Sequence, residues 1–157
     1  MILSQIINEF CLPKEAILIG EAGLDFKLNQ ICLAMTYEDL TMIELNHALV
    51  VAPIDLFESD SALELFESLA KDRKIASLLL TGPHSNIKSM EIYRLCSKYN
   101  VTLCCLGEDI FPVLAVNKIM AFYKTHLRKM EEIVQNHYLE LIHLSTLDLG
   151  VSRIIKK

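Results

Sequence analysis

The chain contains no apolar run approaching the roughly 18 residues of a membrane-spanning helix, and its first residues, Met1-Ile2-Leu3-Ser4-Gln5, lack the basic region of a secretory signal. A soluble, cytoplasmic protein with no membrane partner is expected. Walker, GxGxxG, GxSxG and HExxH motifs are all missing, so no short motif with a stated mechanism is present and no catalytic residue is assigned. The five cysteines, Cys11, Cys32, Cys96, Cys104 and Cys105, form an odd set without a CxxC pair. Several lie in apolar runs, and they read as reduced core residues. Positive charge is also short, with 15 Lys and Arg against 20 Asp and Glu, a net charge of −5. This gives no general attraction for a phosphate backbone, so direct binding of nucleic acid is not expected of this chain.

Proline and glycine are absent from Val113 to Asp148, so one helix of roughly 50 Å is possible there at about 1.5 Å per residue. Within it, Val113, Val116, Met120, Tyr123, Leu127, Met130, Val134, His137, Leu141 and Leu144 follow each other at alternating steps of three and four. This heptad seam predicts pairing with a second copy of the same helix, a homodimer with Met120, Tyr123, Leu127, Met130, Val134, His137, Leu141 and Leu144 at the interface. The alternative is a helix packed on its own domain, which Ile119, Phe122 and Ile133 favour because they widen the stripe. The hydrophobic content of 52% and mean hydropathy of +0.35 agree with an oligomer interface. His137 in the seam reads either as a polar residue fixing register or as a proton-sensitive element.

Ahead of the seam, short apolar runs alternate with helical patterns. Ile17, Ile31, Val50, Leu79 and Leu103 mark five strands. Helices are expected before Pro13, within Tyr37 to Leu45, after a Ser61–Glu64 capping box, from Ile87 to Cys96, and from an Asp109 cap into the seam. Strands that are apolar throughout predict an α/β fold, a mostly parallel sheet flanked by helices with a long C-terminal dimerisation helix. The expected division is an α/β sensory domain over 1–109, a connector helix over 110–148, and over 149–157 the start of a truncated downstream domain.

Ligands of such sheets bind beyond the carboxyl ends of the strands, which places Gly20, Glu21, Gly23, Asp25, Thr81, Gly82 and His84 around one expected concavity. The carboxylates Glu21, Asp25, Asp55, Glu108 and Asp109 read as solvated loop acids and caps in preference to a divalent-ion site, so neither metal nor cofactor is assigned. Cys104 and Cys105 are neighbours in a strand, point to opposite faces and cannot easily bridge each other.

Gly20-Glu21-Ala22-Gly23-Leu24-Asp25, the Leu49-Val50-Val51 strand, the Ile75 to Leu80 strand and the Val101 to Leu106 strand, with helices between the last three, resemble the N-terminal domain of PucR-type (purine catabolism regulator) transcription factors. The resemblance covers roughly residues 1 to 120. Glu131-Glu132-Ile133 through Leu147 to Val151 is similar to the helix and turn leading into that family's next domain. It implies a bacterial regulator module that senses a small-molecule effector and reaches DNA only through a helix-turn-helix domain absent from this chain. The segment from Leu80-Thr81-Gly82 to Cys105 also resembles DRTGG-type domains, which implies a regulatory module of a metabolic enzyme as the competing reading.

Overall fold

The computed structural model describes residues 2–10, 16–20, 24–25 and 27–155, with side chains up to Thr146. It contains two compact units, one through Met120 and one from Ala121. The first unit is α/β, as the strand and helix patterns predict. In chain order it contains α1 (Leu3–Glu9), β1 (Ile17–Ile19), β2 (Gln30–Leu33), α2 (Tyr37–Thr41), β3 (Ala48–Pro53), α3 (Asp60–Lys71), β4 (Ile75–Thr81), α4 (Glu91–Lys98) and β5 (Thr102–Cys105). Short 3-10 turns, Ile54–Glu58 and Ile87–Ser89, lead into α3 and α4. The last helix, α5 (Pro112–Ile155), begins in the first unit and makes up the described part of the second.

The five strands form one sheet in the order β1-β5-β4-β3-β2. β2, β3, β4 and β5 are parallel and add one after another in the same direction, whereas β1 joins β5 antiparallel. Right-handed crossovers between successive parallel neighbours put every crossover helix on the same face. Accordingly Leu40 of α2, Phe66 of α3 and Leu95 of α4 share one core with Val50, Leu78, Leu80 and Leu103. The other face cannot be covered by a crossover. It is closed instead by α1 and the start of α5, where Leu3, Ile6, Ala115 and Ile119 pack with Leu49, Val51, Leu79 and Cys104. Burial on both faces explains why the central strands are mostly apolar, with Ser77, Thr81 and Thr102 as their buried polar residues.

Two local expectations are corrected. α3 begins at Asp60 with Ser59 as its N-cap, so Ser61 and Glu64 form no capping box; the preceding 3-10 turn carries the chain into the helix two residues earlier, and the Ser59 and Ser61 hydroxyls bond each other at 2.8 Å. A capping box forms at α2 instead, where Asp39 accepts the amides of Met35 (2.8 Å) and Thr36 (2.9 Å). Asp109 does not cap α5, because the helix starts at Pro112 and its first carbonyl acceptor is Phe111, bonded by the Ala115 amide at 3.0 Å.

The two amide donors hold the Asp39 carboxyl below the usual carboxylate range. Its contribution is complete above the ordinary carboxylate pKa and is lost as pH falls through the depressed native value. Asp39→Ala removes the acceptor of both amides and, with the carboxylate screened by solvent, is expected to cost about 0.5–1 kcal/mol at pH 7. The gap to wild type should close in acid, as read from urea unfolding at a series of pH values.

A bulge between Ala48 and Leu49 shifts the β3–β4 register, so that Leu49 faces Ser77. The Ser77 hydroxyl is buried with no hydrogen-bond partner. Leaving such a group unmet is costly, so Ser77→Ala is expected to match or exceed wild-type stability, by up to about 1 kcal/mol in thermal unfolding.

Candidate functional site

The crossovers decide where a site can form. Connections leaving β2, β3 and β4 lead to one face of the sheet, whereas the connection leaving β5 leads to α5 on the other. The chain parts between the carboxyl ends of β4 and β5, the arrangement that opens a crevice in an α/β sheet. Thr81 ends β4 there and is buried. Gly82 follows with φ +106°, a conformation that favours glycine, and a Cβ built on it would meet nothing within 4 Å.

His84 comes next, half-buried, with its Nδ1 enclosed and without a hydrogen-bond partner. The loop is held by the Ile87 amide donating to the His84 carbonyl at 3.1 Å. This ring nitrogen has almost no exposed surface, so a ligand can pair with it only once the His84 side chain turns outward. Across the parting, Leu106 donates its amide to the Leu80 carbonyl at 2.8 Å, and Gly107, Glu108 and Asp109 are exposed on the way to α5.

Thr81, Gly82 and His84 thus come together, and Gly20 does not join them. β1 runs antiparallel to β5, so Gly20 lies at the opposite, amino edge of the parallel strands. Its carbonyl accepts the Thr102 hydroxyl at 3.0 Å, and a Cβ on Gly20 would come within 3.1 Å of the Thr102 backbone. The glycine serves this close approach. The connection from Gly20 to β2 starts and ends at that amino edge, and Asp25 within it is exposed. Glu21 and Gly23 lie outside the described residues. The single concavity bordered by both segments is therefore corrected to two separate edges.

The remaining chemistry is subdued. Among the described residues no group of three His, Cys, Asp or Glu is placed to hold a metal ion. Cys32, Cys96, Cys104 and Cys105 are free and buried. Burial pushes the Cys104 thiol up to about 12 and Cys105 to about 11, which suppresses the thiolate needed for reactivity. Cys104 and Cys105 belong to cores on opposite faces of the sheet, as their adjacency in a strand implies.

Most of the exposed large apolar side chains of the described residues are on α5. Its first turns bury Ala115 and Ile119 against the sheet, while Val113 and Met120 of the seam stay exposed. The own-domain alternative therefore describes these turns correctly. Beyond Ala121, Tyr123 is half-buried, and Leu127, Met130, Val134, Leu141 and Leu144 are exposed, Val134 at 63% and Leu141 at 65%. His137 sits in the same stripe, exposed, with Nδ1 3.6 Å from Glu140 one turn on. Between Leu127 and Val134 the back of the helix carries Arg128, Glu131 and Glu132. The charged back is confined to this stretch: further on Tyr138, Leu139 and Ile142, which lie off the seam, are exposed as well, so the apolar surface widens beyond a two-helix stripe. Among the described residues no helix is long and apolar enough to cross a membrane.

No protein-family model, curated protein or solved structure matches the chain.

Proposed function

We propose that this chain is the sensory and dimerisation module of a PucR-like transcriptional regulator, working in the cytoplasm without catalysis. Two copies pair in parallel along α5, and a small-molecule effector binds where the connections of β4 and β5 part. DNA is reached through a domain outside this chain. The observation that carries the reading is the run of exposed seam residues from Leu127 to Leu144 on a single helix whose start is anchored in the α/β core. A long helix gains most of its stability from burying such a stripe, and a second copy presents a stripe of identical spacing.

The root of α5 supports the coupling. The loop from Gly107 to Phe111 joins β5 directly to the helix, and the Ile110 amide donates to the Gly107 carbonyl at 3.0 Å. An effector held by Thr81, Gly82 and His84 would lie across the strand ends from this loop. It shifts the paired helices only by binding two of their arrangements with different affinity. Sedimentation equilibrium tests the pairing: a mass twice the 17.8 kDa of one chain is expected, and a monomer at tens of micromolar would contradict it.

A further inference from the structure

α3 and α4 end in the same way. Past α3, the Lys74 amide donates to the Leu69 carbonyl at 2.9 Å and Arg73 to Ala70 at 3.1 Å; past α4, the Val101 amide donates to Cys96 at 2.9 Å. This closure needs a left-handed residue, and Arg73 (φ 57°) and Asn100 (φ 55°) supply it. A third left-handed residue, His47 (φ 60°), leads into β3 and donates its amide to the Arg73 carbonyl at 3.2 Å. Among the described residues these are the three non-glycine positions with positive φ, and all three border one cavity of about 320 Å³ at the amino edge of the sheet. Ala70, Ile75, Ala76 and Tyr99 complete its lining.

Glycine would make each turn with less strain, by about 1 kcal/mol for a residue such as arginine. At 73 a side chain stands despite that cost, and what Arg73 and Asn100 bring to the cavity is hydrogen-bond donors. Arg73 carries a planar fork of N–H groups and Asn100 an amide. The Tyr99 hydroxyl donates to Glu67 at 2.8 Å and Lys98 Nζ stands 5.0 Å from the ring centre, so the ring offers the cavity the part that Lys98 leaves open. No Asp or Glu lines the cavity. The carbonyl ends of α3 and α4 disfavour a multiply charged anion there, and one guanidinium offsets them for a single charge. The volume lies at the small end of ligand pockets.

The geometry points to a binding site for a small monocarboxylate with a planar apolar body, its carboxylate on Arg73 and Asn100 and its body against Tyr99 and Ile75. The site lies at the opposite edge of the sheet from Thr81 and His84, and its occupancy does not depend on pairing of α5.

Titration of the ¹⁵N-labelled chain with sodium benzoate, followed by amide shifts, tests it, with neutral benzamide as the isosteric control. Saturable shifts at His47, Arg73, Ile75 and Asn100 are expected with benzoate and not with benzamide at equal concentration. Arg73→Gly should melt no lower than wild type, because glycine suits the turn, and should weaken benzoate binding at least tenfold; Asn100→Gly should weaken it in the same direction. No saturable shift, an equal response to benzamide, shifts confined to Thr81–His84, or unchanged affinity in both variants would overturn the assignment.

Discussion

Replacing Leu127 and Val134 together with glutamate is expected to raise the dimer dissociation constant at least a hundredfold, about 3 kcal/mol, while the α/β unit stays folded. Both residues are exposed in the single chain, so the substitution removes nothing from the core of the first unit. Glutamate forms helix about as well as leucine and better than valine, so local propensity is not lowered. In the paired state each glutamate would face its own copy across a desolvated seam, and two like charges there cost far more than the lost methyl contacts. Two signals should then separate. Sedimentation should report a monomer, and helical circular dichroism should fall by part of the contribution of α5, because a lone helix keeps its ends poorly ordered. The cooperative melt of the α/β unit should persist. A variant that dimerises as tightly as wild type would show that the stripe does not hold the copies together.

The opposite behaviour is expected of Phe66→Ala. Phe66 is fully buried in α3 and meets Phe57 edge-to-face at 5.5 Å between ring centres. Truncation removes the ring's burial and leaves a void under α3, a loss of about 3–5 kcal/mol. That is a large share of a typical domain stability of about 5–15 kcal/mol. The urea midpoint should drop with little change of slope, and the thermal midpoint should fall by more than about 10 °C. Retention of wild-type stability would mean that α3 is not seated on the sheet through this residue.

Much of this architecture is legible in the residues. Predominantly apolar runs at Leu49–Ala52, Ile75–Leu80 and Val101–Leu106, broken only by Ser77 and Thr102, mark strands covered on both faces, and the observed β3, β4 and β5 match them to within a residue or two at each end. The direction of β1 is not legible, because a three-residue apolar strand looks the same whichever way it runs; that is why Gly20 was expected beside Thr81 and stands at the other edge. The Ser59-Asp60-Ser61 stretch offers several caps within one turn, and only the incoming 3-10 turn selects Ser59. Thr81, Gly82 and His84 could be placed together because they follow one strand. The amino-edge cavity left little trace: arginine and histidine are not turn-forming residues, and only Asn100, after the helical pattern ending near Lys98, carries a readable sign of a left-handed helix end. Ile119 was visible beside the seam, but its burial follows from the topology, which leaves one face of the sheet for α1 and α5 to cover.

Cross-linking through the middle of the seam tests the pairing most directly. Met130 occupies a seam position and Glu132 lies on the charged back of α5, while the four described native cysteines are buried. In a parallel, in-register pair the two copies of residue 130 meet, within reach of a disulfide, whereas the two copies of residue 132 stay apart. Mild oxidation of Met130→Cys should give a nearly complete interchain disulfide and Glu132→Cys almost none. Equal cross-linking at both positions, or none at 130, would contradict parallel pairing of α5.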